Sequence, residues 1–356
     1  MAELQRREPT LSFEIFTTVP SSLFEQSGVR NSHYTPLQCD VGLIQRSSTE
    51  EDLPATITAL QNLLPYRPAL IDTVLSRLKQ SPVVGCICDI APLGILIAEQ
   101  LAVPSVVVQN FTWPWIYAGY AKEAPGLQSS IDYLAGLYRR ATHTIAATPS
   151  CLSPSEQAPR TVTVPLIGRR ARKTPAETRA QLGLPEQIPI VLVSMGGIPG
   201  QFKFLPELHN LPSIHFLIGT PVDKLTTDRN VTCFPTQSDL YHPDLVQASE
   251  LVISKLGYST VAETTLAGTR LGAVERPAFP EHDVLSEFVS ENLSSTPIAE
   301  REFWSGAWIN RITEMLAMPK VPASAKRPDG VPLPRAQEAD GAATAAELIS
   351  RWLSQN

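Results

Sequence analysis

The chain has 356 residues, a formal net charge of −6, 43% hydrophobic and 18% charged side chains. At about 150 residues per domain, that length fits two domains with ample apolar material for packed cores. An acidic chain lacks the basic surface that a nucleic-acid partner requires, so nucleic acid is excluded as a partner class. Of the five cysteines only Cys86 and Cys88 are close, and no second Cys/His pair stands at zinc-ligand spacing. They read as small buried hydrophobes in a reducing cytosol.

The opening residues, MAELQRREPTLSFEIF, hold no apolar core of the kind that precedes a signal-peptide cleavage site. No apolar run approaches the ~18 residues of a membrane span. The expectation is a soluble, cytoplasmic protein without a transmembrane segment. The basic run Arg169, Arg170, Arg172, Lys173 leaves peripheral contact with an anionic lipid open. A solvated linker entering a helix is its plainer reading.

In chain order, residues 1–7 read as part of an amphipathic helix and 11–17 as a strand. A doubly wound domain normally opens with a strand and a Gly-rich turn, and both are missing here. The expectation is therefore a first domain without its opening strand and loop, either because the protein diverged or, the favoured reading, because the start was placed too far downstream. Strands follow at 83–88, 105–109 and 142–147, with helices at 54–79 (broken near Pro65 and Pro68), 92–101 and 128–140. Residues 151–170, rich in Pro, Ser and Arg, read as an interdomain connection. Thr174-Pro175-Ala176-Glu177 is a capping box with proline at the first helical position, opening a helix to 182. Strands at 190–194, 214–218, 251–253 and 271–274 alternate with helices at 260–267, 284–292 and 307–316. A loose Pro/Lys/Arg-rich stretch, 318–340, precedes a final helix at 342–353. The rhythm predicts an α/β protein of two Rossmann-like domains: 1–160, 161–325, and 326–356 as linker and return helix.

The strongest constellation is SKLGYSTVAE, residues 254–263, after the apolar run LVI. It reads as strand, glycine turn and helix start. Backbone N–H groups at that helix end, with the hydroxyls of Ser259 and Thr260, make a natural diphosphate cradle. Gly257 admits a close anion, and Lys255 adds a point charge. Glu263 is placed to accept the two hydroxyls of a ribose. Gly268 fits the residue that ends the helix. A plain capped strand–turn–helix unit accounts for the local pattern equally well. Upstream, VLVSMGG runs a buried strand into a diglycine turn, Gly196-Gly197; downstream, ERPAFPEHD carries polar groups at another strand end.

Taken together, these motifs resemble the C-terminal domain of the peptidoglycan GlcNAc-transferase-like glycosyltransferases of GT-B type. That resemblance implies UDP-sugar binding by Gly196, Gly197, Lys255, Gly257, Ser259, Thr260 and Glu263. It puts Phe234 near the nucleobase, and Glu281 and His282 at the donor sugar. Lys255 stands where relatives commonly carry arginine.

In the first half, Asp89 ends a strand before Pro92. It is either a helix cap or a cleft carboxylate acting as catalytic base. QNFTWPWIY, residues 109–117, reads as a loop whose Asn110, Trp113 and Trp115 meet an acceptor or whose aromatics fill the core. Asp40 and His33 are similarly open, Asp40 as an acceptor contact and His33 as a second catalytic candidate. The block from Asp89 to Tyr117 resembles a GT-B branch that includes the N-terminal region of plant L-arabinokinases. The resemblance implies transfer of a hexose-type sugar from a UDP-sugar to a small-molecule or lipid-linked acceptor. No acidic cluster suggests a metal, so neither metal nor cofactor is expected. A nucleotide-sugar sensor, or a UDP-sugar epimerase or hydrolase on the same fold, are the competing readings.

Overall fold

The computed structural model describes residues 1–79, 82–153, 160–195, 202–236, 238–320 and 340–354. It forms two α/β units with their own sheets. The first comprises Met1–Ile44, Glu51–Ile167 and Asp340–Asn356. In it β1 (Phe13–Thr17) and β2 (Ser32–Pro36) make a parallel pair. β3 (Cys86–Asp89), β4 (Ser105–Gln109), β5 (His143–Ala147) and β6 (Thr161–Val164) make a separate parallel sheet in that order. The helix expected at 54–79 is two helices, Leu53–Leu63 and Pro68–Leu78, broken where the prolines fall.

The chain passes to the second unit after Ile167, against the boundary expected at 160/161, and the C-terminal helix Gly341–Leu353 belongs with the first unit. The reason is pairing. Residues 161–164, read as part of the connection, add β6 to the edge of β5. Trp352 of the last helix stacks on His143 at the start of β5, with ring centroids 4.1 Å apart and planes 3° apart.

The second unit comprises Gln45–Glu50 and Gly168–Ala339. Its strands are β7 (Ile190–Val193), β8 (His215–Thr220), β9 (Thr226–Asp228), β10 (Val231–Pro235), β11 (Leu251–Lys255), β12 (Arg270–Val274) and β13 (Ser295–Ile298). They form one sheet in the order β13-β12-β11-β7-β8-β10-β9, parallel except for the β9–β10 pair. β7 is apolar at every position and wholly buried, as a central parallel strand covered on both faces must be. Phe204, Phe216, Phe303, Trp308 and Met315 pack one side of that sheet.

The expected capping box is present: Thr174 Oγ1 accepts the Glu177 N–H at 3.3 Å, and Glu177 accepts the Thr174 N–H at 2.7 Å. The helix it opens, Pro175–Leu182, is tied to the sheet by Arg179. Its guanidinium donates to both oxygens of Glu250 at 2.8 Å and to the Ala248 carbonyl at 2.9 Å. Glu250 in turn accepts the Ile190 N–H that opens β7, at 2.7 Å. Arg179 is 7% exposed, so removing it takes a buried donor from the Ala248 and Glu186 carbonyls and breaks the pair with half-buried Glu250. Arg179→Ala is expected to lower unfolding free energy by about 3 kcal/mol. Chemical denaturation checks this, and a loss below about 1 kcal/mol, typical of a surface pair, contradicts it.

Candidate functional site

The carboxyl ends of β7 and β11 define the site. From β7 the chain moves outward through β8 on one side and returns to β11 on the other, so sheet order reverses between these two neighbours. Open α/β sheets bind ligands outside such a reversal, where successive connections part and leave a crevice. Just past β7 the Ser194 N–H donates to the Ile253 carbonyl of β11 at 3.0 Å, holding the two strand ends side by side.

β11 ends at Lys255, Gly257 is extended, and the helix Tyr258–Ala267 begins at once. The first N–H groups of a helix have no intrahelical acceptor. The N-cap residue is Gly257, which has no side chain to cap them, and no acidic residue stands in the first turn. A Cβ built on Gly257 would meet no heavy atom within 4 Å, and Ser259 is exposed. A helix start with space at its glycine and a hydroxyl exposed in its first turn is of the kind that suits an anion. Lys255 donates from Nζ to the Ser48 carbonyl at 3.2 Å. Gly268 ends the helix in the left-handed region at φ 65°.

Glu263 differs from its expected state. Its side chain is only 2% exposed, and both oxygens are engaged. Oε1 accepts from Arg169 Nε at 2.8 Å and Nη2 at 2.6 Å; Oε2 faces His242 Nδ1 at 2.6 Å. A carboxylate offers about four acceptor positions. Three are taken, which leaves one acceptor position on a carboxylate almost closed to solvent, and not the two the ribose was expected to use. Burial pushes the Glu263 carboxyl up, but His242 and Arg169 together outweigh it and hold the group below its usual value.

Arg169, His242 and Ser194 complete this cluster and were not singled out by sequence. The basic run had been read as a solvated linker or lipid contact, yet it is folded onto the second unit. Gly168 lies so close to Ala262 and Leu266 that an added Cβ would come within 2.8 and 2.9 Å of them. That approach delivers Arg169 to Glu263. The Arg172 guanidinium lies 4.3 Å from the Tyr241 ring centre, and the Arg172 and Lys173 N–H groups bond Asp244 at 2.7 and 3.2 Å. His242 had no motif around it, and only tertiary folding brings its ring between Ser194 and Glu263.

Gly196 and Gly197 lie outside the described residues. Phe234 is 5% exposed on β10, its ring against Gly219, so it is a packed core residue and offers little face to a base. Glu281 and His282 are also buried, and His282 Nδ1 accepts the Arg276 N–H at 3.3 Å.

In the first unit, Asp89 does not cap the following helix. That helix is Leu93–Leu101 with Pro92 as its cap residue, which removes the capping role. Asp89 is exposed at its surface but crowded by protein, and that crowding, then Asp40, raises its carboxyl above the usual range. Asp40 is raised by burial and partly restored by the Trp113 indole, which donates to it at 2.9 Å. The segment read as an aromatic loop is a helix, Trp113–Tyr120, whose first turn is capped by Thr112. Trp113 stacks on Tyr117 one turn later, at 5.7 Å and 17°, and sets its edge against Phe111. Trp113 is thus committed to packing and to Asp40, while Trp115 is half-buried and Asn110 is buried. His33 sits on β2, its side chain 73% exposed, 3.0 Å from Glu14 on β1. Among the described residues no hydrogen bond or ion pair joins His33 to Asp89.

Several solved structures share this architecture. The glycotransferase of kitacinnamycin matches 97% of this chain and 100% of its own, with TM-score 0.61 and 16% identity. A UDP-glucosyltransferase from Polygonum tinctorium capable of glucosylating indoxyl matches 100% and 95%, with TM-score 0.61 and 14% identity. Arabidopsis thaliana UGT89C1 complexed with UDP-L-rhamnose matches 89% and 87%, with TM-score 0.59 and 16% identity. The chain therefore has the GT-B glycosyltransferase fold of two Rossmann-like domains. In sequence it is weakly similar to L-arabinokinase of Arabidopsis thaliana, 26% identical over 271 residues. Those residues are 76% of this chain and 26% of that protein, so the chain spans about a quarter of the curated relative it matches. No family model matches the sequence. Among the described residues no helix is long and apolar enough to cross a membrane.

The Glu263 cluster has a pH signature. Its carboxyl titrates below the unfolded value of about 4.3. The folded state then binds fewer protons than the unfolded state as acid is added. The stabilisation is complete above about pH 5 and is lost as pH falls through the depressed folded value. Between pH 7 and pH 3, the unfolding free energy of the wild type is expected to fall more steeply than that of Glu263→Gln. Parallel acid limbs in urea titrations of the two proteins contradict this.

Proposed function

We propose that this protein is a glycosyltransferase that moves a hexose-type sugar from a UDP-sugar to a small-molecule or lipid-linked acceptor, without a metal or cofactor. The observation that carries the reading is the helix start at 258, with glycine as its cap residue and an exposed Ser259, beside Lys255 and at the sheet's order reversal. In a transfer reaction the diphosphate leaves as an anion. Preorganised N–H groups and an ammonium stabilise that developing charge with no reorganisation during the reaction. Chemistry of this kind gives the site no need for a divalent ion. The GT-B fold, shared with glycosyltransferases that include a UDP-L-rhamnose complex, supports the donor class.

Glu263 receives one ribose hydroxyl at its remaining acceptor position. Gly196 and Gly197 complete the phosphate end, and Glu281 and His282 shape the wall behind the sugar. That the site is of peptidoglycan GlcNAc-transferase-like type rests on motif resemblance alone. Asp89, a strand-end carboxylate whose acidity is weakened by its surroundings, is our candidate to take the proton of the acceptor hydroxyl. Asp40, Asn110 and Trp115 are the acceptor-side candidates. We place the work in the cytoplasm.

A second reading, a nucleotide-sugar binder that performs no transfer, is favoured by His33. It is paired with Glu14 on the β1–β2 sheet and not with Asp89. Incubating the protein with a panel of UDP-hexoses and hydroxyl acceptors, with and without chelator, separates the two. UDP release that needs acceptor and survives chelator supports transfer; tight UDP binding without turnover supports the binder. UDP released without acceptor indicates hydrolysis. Lys255→Ala is expected to raise the Kd for UDP roughly ten-fold, the worth of one charge-assisted hydrogen bond. An unchanged Kd removes Lys255 from the site.

A further inference from the structure

Ser194, His242 and Glu263 form a chain of hydrogen bonds. Ser194 Oγ lies 3.0 Å from His242 Nε2, and His242 Nδ1 lies 2.6 Å from Glu263 Oε2. Glu263 is ionised at neutral pH and acts only as an acceptor, so Nδ1 must carry a proton. When His242 is neutral, Nε2 is therefore bare and accepts the Ser194 hydroxyl proton. Ser194 then turns only lone pairs toward anything outside. When His242 is protonated, Nε2–H donates to Ser194 Oγ, and the serine O–H is free to donate elsewhere. Ser194 is half-buried at the carboxyl end of β7, next to the strand that leads into the 258 helix start.

We propose that these three residues make a proton-linked contact for the anionic diphosphate of the ligand, so that binding draws one proton onto His242. The inference rests on the nucleotide-sugar reading above and adds a coupling to it. An anion facing neutral His242 meets serine lone pairs and is repelled. An anion facing the imidazolium form receives a hydroxyl donor whose polarity is set by a full positive charge. The surrounding charges permit the extra proton. Arg169 offsets Glu263, so the protonated cluster carries one net positive charge, which the diphosphate balances. The other charged or titratable groups around His242 are Tyr241 and Asp244 on its own segment, and Arg172, which stacks on Tyr241. Asp244 is occupied by the Arg172 and Lys173 N–H groups. On the neighbouring strand, Lys255 is engaged with Ser48. Atoms balance simply: one proton leaves solvent and joins Nε2, and no covalent bond to the ligand forms.

The test is calorimetric binding of UDP-glucose near pH 8 in buffers of different ionisation enthalpy. This ligand has no group of its own that titrates there. The wild type is expected to take up between half a proton and one proton per ligand bound. His242→Gln, which presents an amide N–H to Ser194 permanently, is expected to bind with no proton uptake and with affinity flat between pH 6 and 8.5. Ser194→Ala is expected to lose the linkage and about ten-fold in affinity. Wild-type binding without proton uptake overturns the proposal, as does undiminished uptake by His242→Gln. Nitrogen NMR of the ligand-free wild type reads the relay independently. A proton on His242 Nδ1 is expected, and a bare Nδ1 overturns the relay. If Nδ1 carries the proton but the wild type binds no UDP-glucose, the nucleotide-sugar reading fails, and the proton linkage fails with it.

Discussion

Much of the second unit's site depends on one buried carboxylate. Glu263 is almost without solvent and would cost several kcal/mol to hold charged alone. Arg169 neutralises it and His242 donates a hydrogen bond to it, and in doing so they fix three otherwise separate pieces of chain. Arg169 brings in the segment that enters the second unit, His242 the start of the helix His242–Ala248, and Ser194 the end of β7. The helix bearing Glu263 is thereby locked in place, and its first turn holds the open elbow at its N-terminal end. A buried ion pair contributes little net stability compared with apolar packing, but it specifies geometry. Here that geometry is the alignment of the elbow with the central strand.

Charge is distributed asymmetrically around this centre. The N-terminal end of the Tyr258–Ala267 helix is left with neither a side-chain cap nor an acidic residue, whereas Thr174, Thr112 and Asp52 cap other helices of the same chain. A cap is worth about 1 kcal/mol. At the sheet's reversal this helix start is preceded by Gly257, whose lack of a side chain suits the close approach of an anion. In the first unit the polar groups are drawn inward. Asp40 is held by Trp113, Tyr66 donates to the Cys39 carbonyl and Tyr117 to the Gly42 carbonyl, so the loop after β2 is pinned to the aromatic helix. That packing leaves Asp89 as an exposed carboxylate at a strand end, its acidity weakened by crowding.

Local signals settled local structure. Thr174 to Glu177 specified its capping box through side-chain geometry that needs no distant partner, and Gly268 marked a left-handed helix end for the same reason. The apolar run of β7 and the strand–turn–helix pattern at 251–263 announced a parallel α/β sheet and its elbow, because burial on both faces demands such composition. Residues 161–164 were misread, since a four-residue strand rich in threonine shows itself only by pairing with β5. The aromatic segment 113–120 was misread because its helix is started by one threonine and held by Trp113, Tyr117 and Asp40, which are contacts across the unit.

The sequence alone determined the fold class, the position of the elbow and the identity of its charged residue, because each follows from patterns within one or two elements. Tertiary structure decided how Glu263 is paired, that Phe234 is core, and that Arg169 of the basic run is an ion-pair partner. It also decided that Ser194 and His242, 48 positions apart, share a hydrogen bond. Those outcomes depend on which strands lie side by side, and strand order is fixed by the packing of the whole sheet.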